Sequence, residues 1–209
     1  QQALSLLTTA AQRAGFRDIE FLYEPLAAGF DYEQSLTTEK TVLVVDIGGG
    51  TTDCSLLKMG PDNCGLSDRF KHVLGYSGER IGGNDFDIHF AQKSLMPLFG
   101  LGSHLISGLP MPVKPFWDAV AINDIGSQTD FYSQRSLIGL KELYKNAEQK
   151  QLITRLLKVQ QQKQTYQVVN LAEQMKKQLS EASSTIADLG FVENGLTLAL
   201  ERQALELAN

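Results

Sequence analysis

Three consecutive glycines between two carboxylates form the motif of this sequence that is best suited to chemistry. They lie in residues 46–53, which read DIGGGTTD and follow a predicted strand. Glycine lets backbone N–H groups approach an anion closely, and successive amides can surround phosphate oxygens. The carboxylates of Asp46 and Asp53 would repel a bare phosphate, so they favour a divalent cation between themselves and the phosphates. A glycine turn with solvated carboxylates explains the same residues equally well, and the Lys and following helix of a Walker loop are missing.

A second glycine pair, Gly82-Gly83, comes directly before Asn84 and the acidic residues Asp85 and Asp87. Asn caps helices well, and acids in the first turn suit the positive end of the helix dipole, so the segment predicts a helix start. The glycines would also let a ligand approach the backbone closely. A simple helix start and one side of a binding site both fit these residues.

A third group of polar residues shares one face of a predicted helix near the carboxyl end. Glu173, Lys176, Lys177 and Ser180 recur at i, i+3, i+4 and i+7. Residues at this spacing are neighbours on a helix surface, which favours a solvated stripe with a Glu173–Lys177 ion pair. The edge of a nucleoside could lie along the same stripe, and the spacing leaves both interpretations open.

The elements that must position these motifs follow from the period of the apolar residues. A helix should end at the left-handed cap Gly15, and another should begin with Pro25 in its first turn. The run at 41–46 is apolar and β-branched, which predicts a strand buried on both faces, and short connections make the strands antiparallel neighbours. The predicted elements are a helix at 2–14, a strand at 19–23, a helix from residue 24, strands at 41–46, 52–59 and 70–76, and a turn at 61–63.

Beyond the second glycine pair the pattern is mostly helical. We expect a helix to about Met96, an irregular excursion at 97–115, one or two long Gln-rich surface helices at 136–164, an amphipathic helix at 168–182, a β-structured tail at 184–200 with a turn at Asn194-Gly195, and a final helix at 202–209. The chain is therefore predicted to be α/β, with strands in its first part and mainly helices after them.

The composition excludes several classes of protein. With 209 residues, of which 43% are hydrophobic and 21% charged, the chain is typical of a globular protein rather than a disordered or fibrous one. The net charge of −5 argues against nucleic acid or an anionic membrane as the main partner. Cys54 and Cys64 are predicted to be free thiols, and the three scattered histidines do not favour a zinc site. No apolar run in the sequence is long enough to span a membrane.

Together and in this order, the motifs resemble the ATPase domain of DnaK-type heat-shock chaperones, which belongs to the actin, sugar-kinase and heat-shock ATPase superfamily. The resemblance is closest to the divergent bacterial branch typified by YegD, and it covers about residues 1–95 and 166–209. It rests on the glycine loop and on four further segments: EPLAA at 24–28, GGNDFD at 82–87, E-x-x-KK-x-x-S at 173–180 and R-x-x-LE at 202–206. It implies an actin-like, ribonuclease-H-like α/β lobe whose mixed sheet starts with an antiparallel meander, plus a largely helical inserted subdomain.

The resemblance also implies a site for ATP or ADP with Mg²⁺. In that family the carboxylates act through the water shell of the metal and on the attacking water, and Asp46 would hold the metal through water. The catalytic residues that this implies are Glu24, Asp46, Thr51 and Asp53. The phosphates are expected at Gly48, Gly49, Gly50, Thr51, Gly82 and Gly83, and the adenosine at Glu173, Lys176, Lys177 and Ser180.

Four departures from the family pattern limit what can be carried over. Lys177 replaces the Arg that is usual in these chaperones, and so removes a planar surface on which adenine could stack. Asn84 replaces the usual Glu, and Thr52 replaces the usual Phe, as in filament-forming bacterial actins such as MreB. A long excursion at about 97–165 replaces a short link, and no family role is transferred to it.

The resemblance divides the chain into 1–30 as the end of the first lobe and a connecting segment, 31–83 as the core of the second lobe, and 84–209 as an enlarged helical and β subdomain. The family's first phosphate loop, catalytic Lys, adenine-binding glycine loop and peptide-binding domain have no counterpart in this sequence. Because the chain begins at Gln1 and carries no secretory signal, we expect a piece of a longer cytoplasmic protein. Alone, the piece is expected to hydrolyse little or no ATP.

The leading hypothesis is the nucleotide-binding lobe of a DnaK-like chaperone that binds Mg-ATP, hydrolyses it in the intact protein and meets client proteins or co-chaperones. An actin-type filament protein is one alternative, which Thr52 favours and Phe86-Asp87 opposes. An interaction module that keeps the fold without using ATP is another, with the Gln-rich helices as its binding surface. A small-molecule kinase is less favoured, because no acid that could bind an acceptor is identified.

Overall fold

The fold consists of two compact units, which are described separately. A computed structural model describes residues 2–22, 24–64 and 69–208 of the chain. The first unit contains the residues up to 47 together with 51–80, and the second contains residues 48–50 together with those from 81 onward. The first unit is α/β and the second is mostly helical, which confirms the expected combination of helices with an antiparallel sheet.

The first unit has two helices and a three-stranded sheet. Helix α1 (Gln2–Arg13) ends shortly before Gly15, whose φ of 98° is left-handed, as predicted for a helix cap. Helix α2 (Glu24–Glu33) has Pro25 in its first turn, where the missing N–H costs no helical hydrogen bond. The strands are β1 (Lys40–Ile47), β2 (Thr52–Met59) and β3 (Val73–Glu79).

The sheet is an antiparallel meander in the order β1-β2-β3, as the short connections predict. In the β1–β2 ladder Asp46 lies opposite Asp53. Strand β3 begins at Val73 rather than at residue 70, because residues 70–72 form a 3-10 turn. The meander therefore places the two carboxylate positions of the DIGGGTTD motif opposite each other.

Helix α2 covers one face of this sheet. Leu26 of the helix packs with Met59 of β2, and Gly29 lets the helix come close, because a Cβ there would overlap the Met59 methyl group. On the opposite face, Leu43 and Val45 are more than half exposed. The prediction that β1 is buried on both faces is therefore wrong, because among the described residues only one layer covers the sheet.

Residues 19–22 do not form the predicted strand, and Tyr23 lies outside the described residues. Phe21 and Leu22 are about half exposed. A strand needs a neighbouring strand for its backbone hydrogen bonds, and no described residue pairs with this segment. The prediction is therefore wrong, because a short apolar run forms a strand only where it can pair with the edge of a sheet.

A buried ion pair joins the end of α2 to the segment after β2. The two terminal nitrogens of Arg69 donate to the two carboxylate oxygens of Glu33 over 2.7 and 2.8 Å, and the Gly60 amide donates to the same carboxylate over 2.9 Å. The Glu33 side chain is only 2% exposed. The Arg69 guanidinium also lies 4.6 Å from the centre of the Phe30 ring. These hydrogen bonds thus compensate both charged groups for the hydration that they lose on burial.

The second unit is built from helices and one small hairpin. Helix α3 (Gly83–Phe90) starts in the predicted segment, but its N-cap is Gly82 and not Asn84. It continues into a π-helical turn (Ala91–Leu95) and a 3-10 turn (Met96–Phe99). The further helices are α4 (Lys114–Asp118), α5 (Ile125–Phe131), α6 (Gln134–Asn146), α7 (Lys150–Gln161), α8 (Thr165–Glu181) and α9 (Arg202–Ala208). Strands β4 (Ser184–Asp188) and β5 (Thr197–Glu201) form an antiparallel hairpin, as predicted for the tail.

Aromatic and aliphatic side chains from most of these helices form one core. Phe90, Phe99, Phe116 and Phe131 are fully buried in it. Burying one such ring contributes roughly 1.5–3 kcal/mol, so this core is the main support of the unit. Two helices occupy the 136–164 region, but the prediction of surface helices is wrong for α7, which buries Ile153 in the core.

Helix α5 has no counterpart among the predicted elements. Its cap is the Asp124 carboxylate, which accepts a hydrogen bond from the Gly126 amide over 2.8 Å. The helix has only seven residues, so its apolar period is too short to identify.

Both cysteines are free, as predicted. None of the helices in the described part of the chain has the length and apolar character needed to cross a membrane.

Candidate functional site

The glycine loop is held against the amino end of helix α3 by backbone hydrogen bonds. The Gly83 amide donates to the carbonyl of Gly48 over 2.9 Å, and the Asn84 amide donates to the carbonyl of Gly49 over 2.7 Å. The first amides of a helix have no acceptor inside the helix, so the loop carbonyls satisfy two of them. The two glycine clusters found in the sequence are therefore in direct contact.

These bonds determine which way the loop presents its amides. In a trans peptide the C=O of one residue and the N–H of the next point in opposite directions. Since the carbonyls of Gly48 and Gly49 point toward α3, the amides of Gly49 and Gly50 point away from it. Neither amide donates a hydrogen bond to the described part of the chain. Adjacent amides without acceptors can bind an anion such as a phosphate oxygen.

Gly82 allows this contact because it has no side chain. A Cβ on Gly82 would lie 2.6 Å from the carbonyl group of Gly49, well inside ordinary contact distance. A Cβ on Gly83 would lie 3.8 Å from the Gly48 carbonyl oxygen, which is ordinary van der Waals contact. The Asp85 carboxylate accepts a hydrogen bond from the Gly82 amide over 2.8 Å. The packing thus requires a glycine at position 82 but not at position 83.

We expect Gly82→Ala to separate the loop from α3. The new methyl group must displace backbone rather than a flexible side chain, which should lower the free energy of unfolding by about 1–3 kcal/mol. The variant should also lose the hydrogen-exchange protection of the Gly83 and Asn84 amides, whose acceptors lie on the loop. Urea unfolding and amide hydrogen exchange measure the two effects.

Gly83→Ala is the matched control for this variant. It adds the same methyl group to the neighbouring helical residue, where alanine should be neutral or slightly stabilising. An equal loss of amide protection in both variants would contradict the assignment of the close contact to Gly82.

The two carboxylates of the motif share one face of the first unit's sheet. Asp46 and Asp53 are cross-strand partners, and both are partly buried. Thr51 is exposed in the turn that joins the two strands. Asp53 also faces Gly78 on β3, where a Cβ would overlap the Asp53 carboxylate. Gly78 therefore makes room for this side chain, and a glycine beside a predicted strand is the signal that could have identified it.

A cavity of about 580 Å³ lies in the first unit and is lined by residues of α2, β2 and β3. Its lining includes Glu24 and Asp53, two of the predicted catalytic residues, together with Ser55 and Ser77. The fold brings Glu24 and Asp53 to the same cavity although α2 and β1 separate them along the chain. Within the described residues, no three His, Cys, Asp or Glu side chains cluster as direct metal ligands.

The polar stripe on α8 is held by three contacts inside the second unit. Lys177 Nζ lies 2.6 Å from Glu173 Oε1, so the predicted ion pair is confirmed. Lys176 Nζ lies 2.6 Å from Asp87 Oδ1 on α3, and the Asp87 side chain is only 8% exposed. The Ser180 hydroxyl donates to the Lys176 carbonyl over 3.0 Å. Lys176 therefore joins the stripe to the second glycine motif, a link that residue spacing does not predict.

The Glu173–Lys177 pair shifts the pKa of both groups. The hydrogen bond from Lys177 and its charge lower the pKa of the Glu173 carboxyl. The same bond and the charge of Glu173 raise the pKa of the Lys177 ammonium group. Because the Lys177 side chain is exposed, the pair contributes little to stability and either group can exchange its partner for a ligand.

Residues 5–96 match the protein family described as Hsp70 protein. The match includes both glycine clusters and helix α2, but not the stripe on α8. Among similar proteins, the chaperone protein dnaK of Emiliania huxleyi is 38% identical over 84 residues, which are 40% of this chain and 12% of the relative. The chaperone protein HscA of Proteus mirabilis is 39% identical over 83 residues, 39% of this chain and 12% of the relative.

A third relative, the HscA homolog of Shewanella denitrificans, is 37% identical over 95 residues, 45% of this chain and 14% of the relative. The chain therefore covers only 12–14% of the length of these curated relatives. The closer likeness to the YegD branch stays a prediction. The loop, the start of α2 and the second glycine cluster all fall inside the matched region, and residues 5–96 thus form a segment of a DnaK-type Hsp70 ATPase domain.

Proposed function

We propose that the chain supplies the phosphate-binding part of the nucleotide-binding domain of an Hsp70-type chaperone, and that its ligand is Mg-ATP or Mg-ADP. One observation carries the proposal: the amides of Gly49 and Gly50 face away from α3 and have no acceptor in the described part of the chain. The β- and γ-phosphate oxygens would accept hydrogen bonds from these amides. Gly48 and Thr51 would complete the loop, and Gly82 and Gly83 would support it on the side of α3. The Hsp70 match supports a nucleotide as the source of the phosphates.

The carboxylates near the loop in sequence fit a magnesium ion that keeps its water shell. Asp46 and Asp53 are cross-strand partners, and Glu24 lines a cavity with Asp53. Mg²⁺ prefers oxygen ligands and dehydrates reluctantly, so carboxylates that act through water suit it. The metal would supply positive charge beside the phosphates. Asp46 would accept hydrogen bonds from its water shell, Glu24 would orient the attacking water, and Asp53 would support this network.

The stripe on α8 is the proposed contact for the adenosine. Glu173, Lys177 and Ser180 are on the exposed side of the helix and present hydrogen-bonding groups to a ligand. Lys176 is bound by Asp87, so its part in the proposal is to hold the stripe against α3. Lys177 supplies a point charge where an Arg would supply a stacking plane.

The proposal assigns ATP hydrolysis to the full-length protein and not to this segment. It takes 1–30 as the end of the first lobe, 31–83 as the core of the second, and 84–209 as a subdomain enlarged by the insertion at 97–165. In this proposal client proteins or co-chaperones are the partners, and the cytoplasm is the location. The names of the relatives favour a chaperone over a filament protein.

Titration of Mg-ATP into the full-length protein by calorimetry tests the proposal. We expect one nucleotide per protein, and at least about tenfold weaker binding when EDTA removes the metal, because the carboxylates then face the phosphates without a cation between them. Titration of ADP under the same conditions shows how much the γ-phosphate contributes to the affinity. Absence of nucleotide binding with and without magnesium would contradict the proposal and favour an interaction module.

A further inference from the structure

The positive charge of the second unit is concentrated in the helical hairpin of α6 and α7. Residues 134–163 contain seven Lys and Arg and only two Glu, a net charge of +5. The remaining residues contain twelve basic and twenty-two acidic side chains, a net charge of −10. The hairpin is therefore a basic region in an acidic chain. We define its basic face by Ile138, Lys141, Tyr144, Lys145 and Lys150.

The basic face combines apolar and positive groups on the outer side of α6. Ile138, Lys141 and Lys145 recur at i, i+3 and i+7, so they form one stripe along the helix. Ile138 is 57% exposed, whereas Leu140, on the other side of the helix, is buried in the core. Lys150 Nζ, at the start of α7, lies 6.0 Å from the centre of the Tyr144 ring. An exposed apolar side chain is thus flanked by lysines on the same surface.

The lysines of this face differ from the basic residues that the fold uses internally. Arg155 bonds Glu193 over 2.6 Å and also donates to a backbone carbonyl, and Lys158 donates to the Val192 carbonyl over 2.7 Å. Lys145 instead pairs with Glu142 over 2.7 Å, and both side chains are more than half exposed. Such a surface pair is worth less than about 1 kcal/mol, so Lys145 can exchange Glu142 for a carboxylate of a partner.

We propose that the basic face binds an acidic segment of a partner protein, with an apolar side chain of that segment against Ile138 and its carboxylates on Lys141 and Lys145. The three lysines of the face attract the segment, and the apolar contact at its centre gives the complex a fixed register. A negative peptide is the ligand whose charge complements this face.

The same observations favour an acidic peptide over a nucleic acid. Lys150 lies over the Tyr144 ring, which leaves that face of the ring closed to a stacking base. The three lysines of the face supply few phosphate contacts, and the affinity of a nucleic acid depends mainly on the number of such contacts. The basic face lies outside residues 5–96, so this inference does not depend on the nucleotide proposal.

Fluorescence anisotropy at physiological salt tests the inference on the whole chain. The probe is a labelled twelve-residue peptide of Asp and Glu with two leucines four residues apart. We expect saturable binding, at least about tenfold weaker in the Lys141→Glu/Lys145→Glu variant and several-fold weaker in Ile138→Ser. Arg13→Glu/Lys40→Glu is the matched control, because it makes the same change in net charge at exposed positions of the first unit and should bind like the wild type.

Three results would overturn the inference. One is an equal loss of binding in the control variant, which would mean that only net charge matters. Another is unchanged binding in Ile138→Ser together with equal binding of a peptide without leucines, which would remove the apolar contact. The third is tighter binding of a twelve-nucleotide single-stranded DNA that depends on the same two lysines. Urea unfolding of each variant shows whether the chain is still folded, so that a loss of binding is not caused by unfolding.

Discussion

Asp46→Asn and Thr51→Ala should each reduce the ATP turnover of the full-length protein by about 10²-fold or more. Phosphoryl transfer is catalysed mainly by positioned charges and donors, and removal of one such group typically costs about 10²–10³ in rate. Asp46 loses the negative charge that would hold the metal-bound water, and Thr51 loses the hydroxyl donor at the end of the glycine loop. Steady-state turnover at saturating Mg-ATP measures the effect.

Matched variants separate chemistry from general damage to the fold. Asp62→Asn removes a carboxylate from an exposed turn of the same unit, and Thr41→Ala removes an exposed hydroxyl from the same strand as Asp46. Both should turn over ATP at the wild-type rate. If Asp46→Asn and Thr51→Ala also kept the wild-type rate while Mg-ATP still bound, the catalytic assignments would be wrong and the phosphate site would have to lie elsewhere.

Glu33→Ala should be the most destabilising single change in the first unit. The carboxylate is nearly inaccessible and accepts two hydrogen bonds from Arg69 and one from the Gly60 amide. Without it, a largely buried guanidinium loses its counter-ion and a buried N–H loses its acceptor, and breaking a buried pair from one side costs about 3–5 kcal/mol. Urea unfolding followed by hydrogen exchange of the β2 amides reports on this unit specifically.

Glu39→Ala is the control for this experiment. Glu39 pairs with Lys58 over 3.1 Å, but the two side chains are 46% and 50% exposed. A solvated pair of this kind contributes about 0–1 kcal/mol. A loss in Glu33→Ala no larger than in Glu39→Ala would show that the buried pair does not support the unit. Glu33→Met/Arg69→Met should recover most of the loss, because neither charge is then left alone.

The stability of the first unit should also depend on pH through Glu33. Burial raises the pKa of this carboxyl, but the hydrogen bonds from Arg69 and Gly60 and the charges of Arg69 and His72 outweigh it and lower the pKa below its ordinary value of 4.5. A lowered pKa in the folded state contributes stability that is present above about pH 4.5 and is lost as the pH falls through the folded value. Glu33→Ala should lack this part of the acid dependence, which urea unfolding at several pH values can measure.

Local signals in the sequence were sufficient for many of the elements. Gly15 as a helix end, Pro25 in a first turn and the amphipathic pattern along α8 each depend on residues within one or two helical turns. The glycine runs also marked where backbone approaches backbone, because only glycine tolerates such contact. The motif residues of the candidate site and the antiparallel meander could be predicted from the sequence because both depend on residue type and short spacing.

Other features depended on contacts between residues far apart in the chain. The predicted strand at 19–23 had the right composition but no neighbour among the described residues, and within the same residues no layer covers the outer face of β1. The pairing of Lys176 with Asp87 joins α8 to α3, and that of Glu33 with Arg69 joins α2 to a later segment. No period in the sequence encodes which distant side chain will be the partner.

The sequence by itself determined the identity and order of the glycine, carboxylate and lysine motifs, since these are properties of residue type and short spacing. Only the tertiary structure decided which way the loop amides face, because that direction follows from the bonds between the loop carbonyls and α3. It likewise decided which lysines of α6 and α7 face outward, since exposure depends on how each helix packs and not on the charge that a residue carries.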